Sequence, residues 1–113
     1  MYLSRADLEL VQGDTASWTV TVTNEDGTPA DISTYTAQAQ IRRAVADADE
    51  VVVADMTTLV ESPAVVLALT SAQTTPMSGF YVWDLQLTGS EGEIITIMAG
   101  RVKVTAEVTR AVA

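Results

Sequence analysis

Hydrophobic and polar residues alternate along most of this chain, in short segments separated by Gly, Pro, Asp or Asn. A period of two is typical of β-strands with one buried face, and the separating residues are typical of turns. The clearest segment starts at Ser17, and its Trp18, Val20 and Val22 share one side while hydroxyl-bearing residues share the other. The pattern predicts strands over residues 7–11, 17–23, 36–42, 51–57, 65–69, 80–88, 93–98 and 101–108.

Residues that interrupt the alternation predict the connections. In the first long connection, Gly27 is free to adopt a positive φ and Pro29 is unable to join a central ladder, so a turn is expected. Residues 89–93 predict a hairpin turn, and Ser71 is a candidate cap for one short helical turn. Gly100 lies inside a strand pattern and predicts a bulge or a bend.

Seven or eight short strands without a long helix predict an all-β fold. Several strands have both faces rich in Val and Thr, which favours two sheets packed face to face over an open sheet. We therefore expect an immunoglobulin-like β-sandwich of mostly antiparallel strands, formed by one domain over residues 1–113 with a core at about 7–110 and short terminal arms. Tyr81 stands where a tyrosine corner would lie. The predicted core is Trp18, Val20, Val22, Ile41, Leu67, Leu69, Trp83, Leu85, Val102 and Val104.

Composition excludes several classes of function. The chain has 113 residues and a net charge of −9, with no basic stripe for nucleic acid. It has no Cys and no His, so we expect no disulfide framework and none of the commonest general bases and metal ligands. The longest apolar run, 64–69, is too short to span a bilayer. No secretion signal is visible, so we expect a soluble protein made in a cytoplasm, with no membrane partner.

Acidic residues offer weak candidates for a metal site. Asp47, Asp49 and Glu50 form the densest cluster, but they lack the ligand series and the glycine of a recognised calcium loop. A solvated loop is the better interpretation of this cluster. Three further aspartates are expected to cap the backbone at turns: Asp14, Asp26 and Asp31.

Asp84 interrupts an apolar strand and has three interpretations. In the first it faces solvent on the side of Phe80, Val82 and Gln86. In the second it pairs with a base such as Arg42 or Arg101, and in the third it lies in an assembly interface. The first two together are favoured over the third.

The sequence indicates neither an aromatic surface for stacking on sugars nor a catalytic nucleophile. Trp18 and Trp83 are in register with Val and Leu neighbours, so core packing is favoured over stacking on sugars. Ser17 has no base beside it. We expect no enzymatic activity, no catalytic residues, no cofactor and no metal.

The first half of the chain resembles a pattern found in small structural proteins of tailed bacteriophages. In that pattern Gln-Gly-Asp opens a strand, a Gly-x-Pro-x-Asp turn follows, and an aromatic residue precedes an alternating strand that ends in Arg. One departure is Ser33-Thr34, where relatives often carry Thr-Gly, so this turn is expected to differ. The corresponding residues are Gln12, Gly13, Asp14, Gly27, Pro29, Asp31, Tyr35 and Arg42.

The second half is similar to the same family, and the resemblance covers about residues 8–110. A Leu-Thr connection leads to Gly-x-Tyr-x-x-Asp-Leu, and a Gly-x-Val-x-Val strand precedes Val-Thr-Arg. The matching residues are Gly79, Tyr81, Asp84, Leu85, Gly100, Val102, Val104, Val108, Thr109 and Arg110.

This family of virion β-sandwich proteins includes the collar proteins that attach long side fibres to siphophage tail tips, and minor virion proteins of actinobacterial phages. A more distant likeness is the N-terminal domain of baseplate upper proteins. The resemblance implies a non-enzymatic tail-tip, collar or minor tail protein, made in the host bacterial cytoplasm and located in the virion. Its partners would be other tail, fibre or capsid proteins. A capsid or neck decoration protein is the structural alternative, and a host-surface carbohydrate-binding module is the alternative of another class.

We also expect a symmetric homo-oligomer on the particle, with the terminal segments among its contacts. These segments carry apolar residues that a neighbour would bury. The alternative, of nearly equal weight, is that both segments are solvated and only a sheet face or a loop makes the contact. The candidate interface residues are Tyr2, Leu3, Arg110 and Val112.

Overall fold

A computed structural model describes residues 4–43 and 52–106. Most of this part of the chain is strand and only one short helix is present in it, which confirms the prediction of an all-β fold. Of Val52 and Val53 only the backbone is described. The elements are β1 (Ser4–Arg5), β2 (Leu8–Val11), β3 (Ala16–Thr21), β4 (Thr36–Arg42), β5 (Val52–Glu61), β6 (Ala64–Leu69), α1 (Ser71–Thr74), β7 (Gly79–Thr88) and β8 (Ile94–Thr105).

The eight strands form one hydrogen-bonded sheet that curls around the core as half of a barrel. The order is β1-β8-β7-β4-β5-β6-β3, and β2 also pairs with β8. All pairings are antiparallel except those of β1 and β2 with β8, which are parallel. The ten-residue strand β5 turns the corner, because its first half pairs with β4 and its second half with β6.

The core lies on the concave side of the sheet, and the alternation predicted it well. Every residue of the predicted core is buried except Trp18, which is only partly buried. Trp18 lies on β3, which pairs with β6 alone. A neighbouring strand therefore shields only one flank of the indole. The buried set also includes residues outside the predicted core, among them Leu8, Leu10, Ile32, Met77 and Ile97.

Gly100 does not form a bulge, which was one of the two structures predicted for its position. It pairs in register with Trp83, and the shift between β7 and β8 lies instead between Leu85 and Gln86. A Cβ on Gly100 would overlap the carbonyl oxygen of Ala6. The glycine therefore allows a neighbouring backbone to approach closely, and β8 continues through it as one strand.

The same Ala6 carbonyl accepts a hydrogen bond from Nε1 of Trp83 at 2.8 Å. The backbone N–H of Ala6 donates to Ala99 O at 3.1 Å. Trp83, which is 3% exposed, thus packs in the core and also fixes the link between β1 and β2. Burying an indole N–H without a partner is costly, so this bond allows the tryptophan to occupy the core.

The short helix α1 is capped by Thr70 and not by Ser71. The side chain of Thr70 accepts from the N–H of Gln73 at 3.2 Å, and Gln73 Oε1 accepts from the N–H of Thr70 at 2.9 Å. This reciprocal pair is a capping box. Ser71 is the first helical residue, and its hydroxyl donates to Gly13 O at 2.7 Å.

Helix α1 fastens the turn between β2 and β3. The hydroxyl of Thr74 is fully buried and donates to Asp14 O at 2.8 Å. Nε2 of Gln12 donates to Thr75 O at 2.9 Å. Since the Ser71 hydroxyl holds Gly13, the whole Gln-Gly-Asp sequence at residues 12–14 is engaged with the helix, which gives this motif a structural role.

The predicted turns are confirmed where the structure describes them. Gly27 has φ +87°, and the segment around it closes by a single bridge between Thr23 and Pro29. Residues 89–93 form the turn between β7 and β8, with Gly92 at φ +87°. The hydroxyl of Tyr81 accepts from the N–H of Ser78 at 2.9 Å.

Part of the expected N-terminal arm belongs to the sheet, because Ser4 and Arg5 form β1 and pair with Met98 and Ala99 of β8. Tyr2, Leu3, Arg110 and Val112 lie outside the described residues. Across the described ranges no helix is long and apolar enough to cross a membrane.

Candidate functional site

Most of the acidic candidates have structural positions or lie outside the described ranges. The Thr28 hydroxyl donates to Asp26 Oδ1 at 2.6 Å, and this bond is the main cause of the lowered pKa of Asp26. The N–H of Ser33 donates to Asp31 Oδ1 at 3.0 Å and lowers the pKa of Asp31. These contacts confirm the turn role of Asp26 and Asp31, whereas the contacts of Asp14 come from its backbone.

The described residues hold no metal-binding cluster. Within 4–43 and 52–106, no three His, Cys, Asp or Glu residues are placed to hold an ion. The predicted acidic loop with Asp47, Asp49 and Glu50 lies outside these ranges.

The convex surface over β4, β7 and β8 is the candidate site, and we call it the outer face. Strand alternation builds it, because successive side chains point to opposite sides of a sheet. On β7 the inward residues are buried, while Phe80, Val82, Asp84 and Gln86 are partly or fully exposed. Asp84 lies opposite Gln40 of β4 and Ala99 of β8, near the middle of this surface.

A hydrogen-bonded row crosses the outer face beside Asp84. The guanidinium of Arg42 donates to Gln40 Oε1 at 2.9 Å. Nε2 of the same amide donates to Asp55 Oδ1 at 2.8 Å. Both the oxygen and the nitrogen of the Gln40 amide are therefore hydrogen-bonded, and these bonds orient the Arg42 and Asp55 side chains along the surface.

Asp84 is held in a half-buried position on this face. Burial raises the pKa of its carboxyl, and the positive charge of Arg42 opposes this with a smaller effect. Asp84 thus lies on the outward side of β7, as one interpretation expected, and Arg42 acts on it through its charge while donating to Gln40. A carboxylate kept partly from water is available for a charge-assisted hydrogen bond to an incoming donor.

Large apolar side chains stand at two ends of the outer face. Phe80 is 72% exposed on β7, and Ile94 is 64% exposed at the start of β8. Phe80 lies opposite Lys103, and the neighbouring outward position of β8 is Arg101. The predicted site residues did not include Phe80, although the sequence carries a signal for it. The signal is that Phe80 lies on the outward, more polar side of β7, whereas the other two aromatic residues of this strand, Tyr81 and Trp83, point inward.

A small cleft lies elsewhere, between β3 and the β1–β8 edge. It is lined by Ser4, Val20, Thr21, Val22, Thr23, Ile97 and Met98. Its volume of about 20 Å³ is enough for about one water molecule. Drug-sized ligands occupy pockets of about 300–1,000 Å³, so this cleft is not a substrate pocket.

Comparison with known proteins gives a likeness in fold alone. No family model matches the chain. No curated protein matches it either. Among solved structures, an endo-fucoidan hydrolase from glycoside hydrolase family 107 is similar, with a TM-score of 0.56 and 12% identity over 92% of this chain. A 2,6-sialyltransferase from a Photobacterium species matches 92% of the chain with a TM-score of 0.38 and 13% identity. The chain spans only 13% and 18% of the lengths of these two proteins.

Proposed function

We propose that this protein is a non-enzymatic structural component of a bacteriophage virion. In this proposal it acts at the tail tip or collar, or as a minor tail protein, and mediates assembly or fibre attachment. The observation that carries a contact function is the outer face, where the exposed Phe80 stands beside an oriented polar row and a half-buried Asp84. The phage setting comes from the sequence resemblance.

The composition of the outer face suits protein contact. Aromatic residues and Arg are enriched in interfaces, where a few of them supply most of the binding energy. Phe80 offers an apolar anchor whose burial removes a large exposed area from water. Arg42, Gln40 and Asp55 offer polar groups that are already ordered, which reduces the entropy lost on binding.

We further propose that the curled sheet is an immunoglobulin-like β-sandwich. Support comes from β5, which joins the β4 side to the β6 side, and from the Tyr81 hydroxyl, which bonds to backbone three residues upstream as in a tyrosine corner. An experimental structure tests this: two sheets about 10 Å apart are expected. A single open sheet would contradict it.

The first test asks whether the protein is in the particle and where. Mass spectrometry of purified virions should detect it, and gold labelling of a tagged copy should mark the tail tip or collar. Labelling over the shell or neck would favour the alternative of a decoration protein. Absence from intact particles would overturn the virion role altogether.

The second test asks whether the outer face makes the contact. Phe80→Ser should reduce incorporation into virions while the circular dichroism spectrum stays unchanged, because the side chain is exposed in the free chain. Leu59→Ser is the matched control, since Leu59 is 57% exposed in the second half of β5, which pairs with β6 and lies away from β4, β7 and β8. Equal incorporation of the two variants would move the contact away from the outer face.

A host-surface carbohydrate-binding module is the second candidate function, and Phe80 favours it. An exposed aromatic ring on a sheet face is able to stack on a sugar. Trp83 is excluded from that role because it is buried. A glycan array tests the idea: binding that disappears with Phe80→Ser would support it, and no binding by the parent chain would reject it.

A further inference from the structure

The edge strand β3 is paired with another described strand along one side only, the side of β6. The N–H of Val22 donates to Pro63 O at 2.8 Å, which extends the register that pairs Val20 with Val65 and Trp18 with Leu67. In an antiparallel pair, alternate residues direct their N–H and C=O toward the partner strand. The intervening residues Ser17, Thr19 and Thr21 therefore direct theirs away from β6, where the described part of the chain supplies no strand.

This edge lacks the features that normally prevent pairing with another chain. Natural edge strands are protected by Lys, Pro, bulges or inward-pointing charges. Residues 15–23 contain no charged residue and no proline, in a chain with 15 acidic residues, and the ladder between β3 and β6 runs without a register shift. The edge therefore lacks these protections. At Thr21 it adjoins the small cleft toward Ser4, and no described strand is hydrogen-bonded to it at Ser17 and Thr19.

The sequence of the edge is self-complementary. In an antiparallel pair of two β3 strands about a two-fold axis at Thr19, Ser17 faces Thr21 of the second copy and Thr19 faces its counterpart. All three pairs are then of the hydrogen-bonded type, in which both residues exchange their N–H···O bonds. Ser and Thr are also favourable cross-strand neighbours on one face.

Trp18 adds a second reason for self-pairing. Its side chain points toward the core but is only partly buried, since one flank is unshielded at the edge. In the two-fold arrangement Trp18 faces Val20 of the second copy, whose side chain is on the same side of the sheet. Pairing thus covers part of the largest incompletely buried side chain of β3.

We propose that this protein associates with a second copy of itself through antiparallel pairing of β3 with β3 about a two-fold axis at Thr19. The proposal goes beyond the virion role and does not depend on it, because it concerns the isolated chain. The two acidic bodies repel each other, and salt screens that repulsion. Association should therefore strengthen as the salt concentration rises.

The first experiment compares two lysine variants of the purified full chain by analytical ultracentrifugation. Thr19→Lys places like charges directly opposite each other at the two-fold axis, and should weaken association at least about tenfold. Thr57→Lys makes the same change in charge at an exposed position on β5, an interior strand, and should leave association unchanged. Both variants lower the net negative charge, so a loss confined to Thr19→Lys reports on the edge. A parent chain that stays monomeric at all concentrations and salts, or equal behaviour of the two variants, would overturn the proposal.

Hydrogen exchange distinguishes a second copy from the chain's own segments. Protection of the Ser17, Thr19 and Thr21 amides should increase with protein concentration. Protection that is independent of concentration would show that a segment of the same chain covers the edge, and would overturn the proposal.

The absence of cysteine allows a test of register. Facing residues of a hydrogen-bonded pair have Cα atoms about 5.5 Å apart, within disulfide range. Under a mild oxidant, Thr19→Cys should form a disulfide-linked dimer much faster than Thr57→Cys. Equal rates for the two variants would overturn the two-fold register.

Discussion

At the scale of single residues, Gly100 shows how one missing Cβ shapes the fold. The space that a side chain would fill is taken by the Ala6 carbonyl, which also accepts the Trp83 indole N–H. Neither the backbone nor the indole is free to move aside. The glycine is thus required for the close approach of the chain that links β1 to β2.

We expect Gly100→Ala to lower the free energy of unfolding by about 2–3 kcal/mol, the upper part of the range for overpacking. Urea denaturation measures it. The control is Gly89→Ala, whose new Cβ meets only the flexible end of the Glu93 side chain and should cost much less. Similar losses in both variants would show that close approach to Ala6 is not what matters at Gly100.

Asp84 leads to a prediction about pH. Burial raises its pKa, so at neutral pH the charged carboxylate costs stability in the folded state. Asp84→Asn removes that cost and should raise the melting temperature at pH 7. As pH falls, the parent carboxyl becomes protonated in the fold, so the advantage should shrink and disappear below about pH 3. An advantage that is constant with pH would contradict this account.

Asp31 leads to a prediction of the opposite sign, because its pKa is lowered where that of Asp84 is raised. Its pKa is lowered by the Ser33 N–H, so its charged form stabilises the fold above its ordinary pKa. Asp31→Asn should therefore lower the melting temperature at pH 7. The loss should diminish as pH falls through the lowered pKa of the parent carboxyl.

Two residues show how far the sequence predicts position. The alternation placed Trp18 on the core side of β3 and Phe80 on the outward side of β7, and both assignments hold. It did not predict that Trp18 would be only partly buried, because strand order depends on pairings distant in sequence and β3 became an edge. Alternation therefore predicts which face a residue occupies, and leaves open whether a neighbouring strand covers it.

At the scale of elements, the antiparallel strands were predictable and the exceptions were not. β4 has the predicted bounds, and β7 begins one residue earlier than predicted. The parallel pairing of β2 with β8 joins residues more than ninety positions apart in sequence, and no local pattern encodes it. Similarly, β5 continues to Glu61 beyond its predicted end, because β6 supplies hydrogen bonds to its second half.

Helix α1 supports a prediction at this scale, because its Thr74 is a buried hydroxyl that holds the β2–β3 turn. Thr74→Val keeps the shape but leaves the Asp14 carbonyl without this donor, and should cost about 1–3 kcal/mol of unfolding free energy. Thr74→Ser retains the hydroxyl and is the control for the lost bond. Urea denaturation compares them, and a valine variant as stable as the serine variant would show that the hydrogen bond contributes little.

At the scale of the whole molecule, the motifs that carry the family resemblance act within the fold. Residues 12–14 bind α1, Tyr81 bonds to Ser78, and Gly100 admits Ala6. Such residues specify an architecture, and they do not identify a partner. That explains why the sequence predicted the core and the turns, while the outer face emerged only once β4, β7 and β8 were adjacent.

The last prediction concerns the terminal segments and the proposed assembly of this protein on a phage particle. Tyr2, Leu3 and Val112 are apolar residues that a neighbouring protein could bury. The net negative charge of the chain favours docking onto a complementary surface over indiscriminate self-association. The N-terminal deletion should stop at Leu3, because Ser4 and Arg5 pair with Met98 and Ala99 in β8.

Deleting Met1 to Leu3 and, separately, Arg110 to Ala113 should leave the circular dichroism spectrum and the melting temperature close to those of the parent. Each deletion should reduce incorporation into virions, measured by quantitative mass spectrometry of purified particles. Phe80→Ser in the same assay shows the size of a loss that comes from the outer face. If both truncated chains are incorporated as well as the parent, the terminal segments do not make the contact, and the partner must bind the folded domain itself.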